Sequence, residues 1–233
     1  MLPAASRRHG WRGRHAPFGA SLRAGELRCA GRVLYADSVA DDVSCRCGWC
    51  GDDPVYVAYH DTEWGVPLRD DQALFALLVL EGAQAGLSWI TILRRRDGYR
   101  AAYDGFDPER IARWSDDRLD ELAGDPRIIR NRAKIRSARQ NARAYLALRD
   151  EAGSFSDLVW SFVDHTPLVN TWRDGAQVPA TTGTAKRLSN ELRRCGFSFV
   201  GPTIIYAFMQ SAGLVNDHLV SCFRWSAASA ETR

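Results

Sequence analysis

The chain has 233 residues and a formal net charge of +3, with 45% hydrophobic and 25% charged residues. This composition is typical of a globular protein, and the length suffices for one large domain or two closely packed lobes around a sizeable core. No apolar run reaches the length needed to span a membrane, and no apolar signal-peptide segment follows the N-terminal arginines. We therefore predict a soluble, cytoplasmic protein whose six cysteines are thiols or metal ligands rather than disulfides.

The basic excess lies in the N-terminal extension, residues 1–44. Residues 1–45 contain seven arginines and four acidic residues, which leaves 24 basic and 24 acidic residues in the rest of the chain. The extension is rich in Arg, Gly, Ala and Ser and shows no period that would bury a face. We predict that it is disordered and that one helical domain spans residues 45–233. A transit peptide and a translation start near Val43 remain alternatives for the extension.

From residue 70 onward the chain carries the start and stop signals of helices. Side chains that cap helix N-termini recur along it: Asp70, Asp107, Ser115, Asp125, Ser154, Thr184 and Asn216. Glycines stand where the helices should end: Gly124, Gly153, Gly196 and Gly213. Residues 165–182 contain two prolines and no period, which predicts a long connection. Because no alternating segment is long enough to predict a strand, the fold class is all-α.

Residues 74–89, LFALLVLEGAQAGLSW, predict a helix that is apolar almost all round and carries the single carboxylate of Glu81. An ionised carboxylate in such a setting costs several kcal/mol unless something pairs with it. Glu81 therefore has either a structural partner or a ligand to bind. Trp89 and the spacing of Gly82 and Gly86 favour a ligand with a flat face.

A glycine-bounded turn, residues 196–203, joins two segments with helical patterns. Pro202 suits the first position of the following helix, so the backbone N–H groups of Gly201, Thr203 and Ile204 are predicted to point outward. Such a turn binds anions, and a DNA phosphate is one natural occupant. An ordinary helix connection without a ligand is the alternative.

Residues 127–143 hold seven basic residues and no acidic one. Four arginines are spaced to share one helix face: Arg132, Arg136, Arg139 and Arg143. The apolar residues between them can face inward: Ile128, Ile135 and Ala138. Together with residues 94–96, all arginine, this face predicts contact with a nucleic-acid backbone, and a solvated surface is the alternative.

Two Cys–His couples at opposite ends of the chain could hold a metal. His218 and Cys222 are spaced to share one helix face, and Cys47 and His60 supply a second couple. Two cysteines and two histidines suit tetrahedral zinc in a closed structural site. Two alternatives stay open: His218 and Cys222 as core residues, and a competing site that uses Cys45, Cys47 or Cys50, which the spacing of Cys47 and Cys50 would allow.

Six segments in unbroken order resemble one known family. They are residues 46–49 (RCGW), 53–67 (DPVYVAYHDTEWGVP), 80–90 (LEGAQAGLSWI), 158–165 (LVWSFVDH), 196–201 (GFSFVG) and 213–218 (GLVNDH). They are similar to the type I 3-methyladenine DNA glycosylases, bacterial repair enzymes of the helix-hairpin-helix superfamily. The resemblance covers about residues 46–225 and implies an all-α, two-lobed fold whose zinc site joins the N- and C-terminal segments.

The resemblance also implies roles for individual residues. Its structural zinc ligands fall on Cys47, His60, His218 and Cys222. Its base-binding carboxylate falls on Glu81, and its hairpin on residues 196–201. Its aromatic base pocket falls on Trp49, Tyr56, Tyr59, Trp64 and Trp89. The extra thiol of Cys50 and the N-terminal extension depart from the family pattern without removing a functional residue.

The implied activity is excision of 3-methyladenine from alkylated double-stranded DNA, by a protein expected to be a monomer. The damaged base must leave the duplex, and Leu87, placed at the turn after Gly86, is the expected wedge for the gap. Residues 204–209 are apolar or small where superfamily relatives carry a catalytic Asp, so hydrolysis without strand cleavage is expected. A zinc-stabilised DNA-binding module without catalysis and a zinc hydrolase are the alternatives.

Overall fold

Helices dominate the computed structural model, which describes residues 27–29, 32–34 and 45–230. The α-helices are α1 Pro54–Thr62, α2 Asp71–Gln84, α3 Trp89–Leu93, α4 Arg96–Ala102, α5 Pro108–Ala112, α6 Asp116–Gly124, α7 Arg132–Ala152, α8 Phe155–Ser161, α9 Gly183–Arg194, α10 Pro202–Ser211 and α11 Phe223–Ala230. The strands are short: β1 Leu27–Cys29, β2 Arg32–Leu34, β3 Leu168–Val169 and β4 Val215–Asn216. Within the described ranges, no helix is long and apolar enough to cross a bilayer.

The disorder predicted for residues 1–44 lies almost entirely outside the described residues. The exception is β1 and β2, which pair in antiparallel fashion with Arg28 opposite Val33. The sequence contains no indication of this pair, because strands are predicted from alternating polar and apolar residues and each of these strands has only three residues.

Most of the predicted helix starts are confirmed, because each capping side chain accepts a hydrogen bond from the first turn of its own helix. Asp70 begins α2 by accepting from the N–H of Ala73 at 2.8 Å. Three further caps have the same geometry: Asp107, Ser115 and Ser154. Three of the predicted helix ends are left-handed glycines just beyond α7, α9 and α10: Gly153, Gly196 and Gly213.

Three predicted caps are wrong. Asp125 ends α6 instead of beginning a helix, and its carboxylate pairs with the guanidinium of Arg127. Thr182, and not Thr184, caps α9. Asn216 lies in β4, and its Oδ1 accepts from the N–H of His218, whereas the next helix, α11, begins only at Phe223. In each case the residue is of a type that caps helices, but its side chain hydrogen-bonds to a group other than the first turn of a helix that it would begin.

Helix α2 lies at the centre of the fold, in contact with α3, α7, α8 and α10. Its apolar residues are buried as predicted, with Leu74 and Phe75 at 0% exposure. The contact with the connection before α10 is close, since a Cβ at Gly82 would lie 3.3 Å from the Cβ of Phe199. Because α2 is held on several sides, the side chains along it have little freedom to reorient.

The basic face of α7 packs against this protein rather than standing free. Arg132 pairs with Asp120, and Arg139 pairs with Asp116 while also donating to a backbone carbonyl. Arg143 donates to the carbonyl of Ala112. The inward residues are buried as expected: Ile128, Ile135 and Ala138. Three of the four arginines on the predicted nucleic-acid face thus make intramolecular contacts. These contacts do not decide whether the face binds nucleic acid, so that stays a prediction.

The two ends of the described domain meet. The predicted long connection, residues 165–182, is confirmed, although it contains β3 and a 3-10 turn at Gly175–Gln177. β3 runs parallel to β4, with Leu168 opposite Val215. The N–H of Phe223 donates to the carbonyl of Cys45 at 2.9 Å. These contacts bring residues near 47 beside residues near 220.

Candidate active site and metal centre

A cavity of about 710 Å³ opens between α1, α2, α3, α10 and the connection before α9. It is within the range of pockets that hold drug-sized ligands, about 300–1,000 Å³. Six residues predicted from the sequence line it: Trp49, Tyr56, Tyr59, Trp64, Glu81 and Trp89. They come from segments up to 40 residues apart, and the fold brings all of them to one surface.

Glu81 is buried in the wall of this cavity, at 2% exposure. Its Oε1 accepts a hydrogen bond from the hydroxyl of Ser211 at 2.7 Å, whereas Oε2 has no hydrogen-bond partner. Burial raises the pKa of Glu81 to about 8, and the hydrogen bond from Ser211 offsets only part of that effect. The structural partner considered from the sequence thus exists, but it satisfies one oxygen and leaves the other for a ligand.

Two further buried polar atoms that belong to the cavity wall lack partners. They are the hydroxyl of Tyr59 and the indole Nε1 of Trp89. Buried polar atoms are rarely left without hydrogen bonds, because each such atom costs about 1–3 kcal/mol. With Glu81 Oε2, they form a set of one acceptor and two donors among flat rings. This set matches a planar, polar, aromatic ligand.

The exposure of the aromatic side chains decreases from the mouth of the cavity to its interior. Trp49 is 39% exposed, and its ring centroid lies 5.0 Å from that of Tyr56 and 4.9 Å from that of Trp64. Tyr59 and Trp89 are buried, with their centroids 5.6 Å apart. A ligand can therefore meet an exposed indole first and a buried pair next.

The C-terminus of α2 forms an exposed turn beside the cavity. Gly86 has a φ of 77°, which glycine adopts without strain, and Leu87 is 40% exposed. Lys134 fixes this end of α2, since its Nζ donates to the carbonyls of Ala83 at 2.8 Å and Ala85 at 2.6 Å. The sequence reasoning missed this role because the lysine lies about 50 residues from the helix that it caps.

The connection between α9 and α10, residues 195–201, is also held from α7. Asn141 accepts from the N–H of Ser198 at 2.8 Å and donates to its carbonyl at 3.0 Å. Gly201 precedes α10, and no side chain caps that helix. Thr203 is exposed and Ile204 half-buried, and the first N–H groups of α10 have no partner within their own helix. The predicted turn between two helices is confirmed, whereas phosphate binding there stays a prediction.

The four predicted metal ligands come together. The ligand atoms of Cys47, His60, His218 and Cys222 lie within 4.8 Å of one another, and all four residues are buried. Cys47 Sγ is 3.6 Å from His218 Nδ1, and Cys222 Sγ is 3.5 Å from His60 Nε2. His218 and Cys222 lie in the turns between β4 and α11, so the predicted shared helix face is wrong although the pairing is right.

The outer nitrogens of the two histidines are already occupied, which leaves the inner ones as acceptors. His60 Nδ1 bonds to Asp61 Oδ1 at 2.8 Å, and His218 Nε2 bonds to the carbonyl of Trp64 at 3.2 Å. The hydrogen bond from Cys47 lowers the pKa of the Cys222 thiol, and bonds from His218 and His60 lower it further. This arrangement of oriented imidazoles and thiols could hold a metal ion, with Asp61 and the Trp64 carbonyl as supporting groups.

The other cysteines near this cluster are accounted for. Cys50 donates to the carbonyl of Cys47 at 3.1 Å, and Cys45 is disulfide-bonded. The expectation that every cysteine is a thiol or a metal ligand is therefore wrong for Cys45. Neither residue belongs to the four-residue group, so the alternative site that uses Cys45 or Cys50 is set aside.

The metal cluster and the cavity share a wall. The ring of Trp64 packs edge-on against His218 at 4.6 Å, and Trp49 lies 5.4 Å from the ring of His60. Trp49 also lies in the 3-10 turn Gly48–Cys50, directly after the ligand Cys47. A metal ion at the cluster would therefore hold two of the cavity's aromatic faces in place.

Asp217 is a further residue of the cavity wall whose role the sequence reasoning missed. Its carboxylate accepts four hydrogen bonds, from Asn170 and Trp172 at 2.7 Å, from Tyr206 at 2.5 Å and from Gln210 at 2.7 Å. It therefore ties the connection before α9 to α10. The one available signal was its place in the GLVNDH segment.

Comparisons with known proteins find relatives over most of the chain. A family profile described as "Methyladenine glycosylase" matches residues 49–225. The "DNA-3-methyladenine glycosylase 1" of Escherichia coli (strain K12) is 49% identical over 177 residues, 76% of this chain and 95% of that protein. A crystal structure of 3-methyladenine DNA glycosylase I gives a TM-score of 0.75 at 48% identity, with 76% of this chain and 98% of that one covered. A variant of such a glycosylase, crystallised with 3-methyladenine, gives 0.74 at 38% identity, with 76% and 96% covered.

Proposed function

Because the chain belongs to the methyladenine glycosylase family, we propose that it excises 3-methyladenine from alkylated DNA by hydrolysis of the N-glycosidic bond. The observation that carries the proposal is the set of unpartnered polar atoms in an aromatic cavity: Glu81 Oε2, Tyr59 OH and Trp89 Nε1. A purine edge with donors and acceptors around a flat ring can satisfy such a set.

The cavity is suited to a base that carries positive charge. A base alkylated at N3 is cationic in DNA, and the faces of Trp and Tyr attract cations by about 0.5–2 kcal/mol. A cation beside Oε2 also favours the ionised form of Glu81 and therefore lowers its raised pKa. Normal adenine is neutral and gains neither effect, so the same pocket discriminates against undamaged DNA.

Access to the base requires that it leave the duplex. Leu87 is exposed at the turn that ends α2, three residues after the last helical residue of the segment bearing Glu81. We assign it the wedge that fills the gap in the base stack. Lys134 supports this assignment because it binds the carbonyls of Ala83 and Ala85 just before the turn, which limits how far Leu87 can be displaced.

The reaction does not require a strong acid or base from the protein. The positive charge makes the base a good leaving group, so Glu81 acts by binding and by electrostatic stabilisation rather than as an obligatory general base. The first turns of α10 present apolar or small residues rather than a carboxylate, including Ile204 and Met209. We therefore infer attack by water, without a covalent intermediate and without strand cleavage.

For DNA docking we propose that α9, the connection 195–201 and α10 act as a helix-hairpin-helix element. The free N–H groups of Thr203 and Ile204 at an uncapped helix N-terminus support it, since they can bind a phosphate without a cationic side chain. Gly201 allows the backbone to approach the phosphate closely. The protein acts on double-stranded DNA as a monomer in this proposal, and in the cytoplasm.

For the metal cluster we propose zinc. With Zn–S near 2.3 Å and Zn–N near 2.0–2.1 Å, a tetrahedral ion places its sulfur and nitrogen ligands about 3.6 Å apart. The S–N distances of 3.5 and 3.6 Å in the cluster agree with that value. Four protein ligands leave no open position, so zinc here is structural, and the zinc-hydrolase alternative has no support.

The test is release of free base from methylated duplex DNA by the wild type, Glu81→Ala and a matched control, Glu121→Ala, whose carboxylate is on the surface. We expect the wild type and the control to release 3-methyladenine and Glu81→Ala to release it at least about tenfold more slowly, with all three folded by circular dichroism. A folded wild type that binds DNA and frees no base would refute the proposal and favour a binding module.

A further inference from the structure

Arg173 is a charged residue of the cavity wall that the proposed mechanism leaves unused. Of the described residues that line the cavity, Arg46 and Arg173 are the arginines. Arg46 is committed, because its guanidinium makes two-point contact with Asp61 at 2.7–2.9 Å. Among the described residues, the guanidinium of Arg173 makes no ion pair and no side-chain hydrogen bond.

The backbone at Arg173 is held firmly even though its side chain is free. Trp172 donates from its indole to Asp217 at 2.7 Å, and its carbonyl accepts from the N–H of Val220 at 2.9 Å. The N–H groups of Arg173 and Asp174 both donate to Oε1 of Gln177, at 2.8 and 3.2 Å. The guanidinium therefore projects from a fixed point on the cavity rim rather than from a loose loop.

The charge of Arg173 decides what it can bind. A cationic base would be repelled by a guanidinium, so Arg173 does not serve the pocket that Glu81 and the aromatic rings form. The neighbouring carboxylate of Asp174 is used in a capping box with Gln177, where it accepts from the N–H of Ala176. The anions of a nucleic acid are its phosphates, and planar guanidinium groups bind them well.

We propose that Arg173 binds a phosphate next to the nucleotide whose base enters the cavity. The inference rests on the proposed function, since it takes the occupant of the cavity to be an extruded nucleotide. A base that swings into the cavity draws its own sugar and flanking phosphates to the rim, where Arg173 stands. This contact forms only when the nucleotide is extruded, so it stabilises the flipped state rather than undamaged duplex.

The experiment uses a short duplex with a reduced abasic site, which can present the extruded backbone without a base, and an undamaged duplex of the same sequence. We expect Arg173→Ala to weaken binding to the abasic duplex about tenfold and to reduce the slope of log K against log salt by about 0.9, the value for one phosphate contact. Arg173→Lys should keep most of that slope. Binding to the undamaged duplex and to free 3-methyladenine should be unchanged.

Arg110→Ala is the matched control, because this exposed arginine pairs with Asp107 on α5 and does not line the cavity. Equal salt slopes for wild type and Arg173→Ala on the abasic duplex would overturn the proposal, as would an equal loss in Arg110→Ala. The result is separable from the proposed function. A wild type that releases no base refutes the glycosylase, whereas the salt slope still reports whether Arg173 binds a phosphate.

Discussion

Replacement of Glu81 by Gln should make the protein more stable, and increasingly so as the pH rises. The carboxyl is 2% exposed, and burial raises its pKa from 4.5 to about 8. In the unfolded chain it ionises near 4.5, so between that pH and about 8 the unfolded state binds fewer protons than the folded one. Stability of the wild type therefore falls through this window, whereas Glu81→Gln has no such ionisation.

The size of the effect follows from the two pKa values. Each unit is worth about 1.36 kcal/mol, so the whole interval corresponds to roughly 5 kcal/mol. From about pH 5.5 to about pH 8 the unfolding free energy of Glu81→Gln should rise relative to wild type by roughly 3 kcal/mol. Any cost of the unpaired amide N–H in the variant is the same at every pH and does not enter this difference.

The assay is urea unfolding of wild type and variant at several pH values across this range. Glu121→Gln is the control, since its carboxylate is 67% exposed beside Arg118 and its effect should stay within about 0.5 kcal/mol at every pH. A stability difference between Glu81→Gln and wild type that does not change with pH would refute the reasoning. It would mean that the folded protein ionises Glu81 as readily as the unfolded chain does.

Two further predictions concern the supports of the site. Cys222→Ala should lose its bound zinc, measured by elemental analysis, and more than about 3 kcal/mol of unfolding free energy. Cys195→Ala, which is remote from the cluster, should keep both its zinc and its stability. Full zinc content in Cys222→Ala would contradict the metal assignment. Lys134→Met should lower the unfolding free energy in urea by about 1–2 kcal/mol and slow base release, because the C-terminal carbonyls of α2 lose their donor. Lys186→Met on the surface should change neither quantity. If Lys134→Met had no effect either, the turn would be stable without this lysine.

Local rules made part of this structure predictable. Asp70 and Ser115 cap helices through bonds to residues three positions away, so the information lies within one turn. The burial of Glu81 followed from the apolar positions around it. The four metal ligands were proposed from two Cys–His couples, and most of the aromatic cavity residues from the family resemblance. Their convergence could not have been derived from spacing, since Cys47 and Cys222 are 175 positions apart.

What the sequence could not supply is which partner a polar side chain chooses over a long distance. Ser211 bonds to Glu81 across 130 positions, and a serine near the end of an apolar helix carries no mark of that role. The arginines of α7 show the same limit, because a count of charges does not reveal that α6 neutralises Arg132 and Arg139. Such choices depend on how helices pack, which periodicity leaves open.

The spacing of the four ligands along the chain also determines when, during synthesis on the ribosome, the metal cluster can form. Two of its ligands, Cys47 and His60, leave the tunnel early, and the other two follow some 160 residues later. Trp64 packs against the late ligand His218, whereas Trp49 packs against the early ligand His60, so the cavity wall of a nascent chain is incomplete until residue 222 has emerged. Chains truncated before residue 222 therefore lack both the complete aromatic cavity and the metal cluster that joins the two ends of the domain.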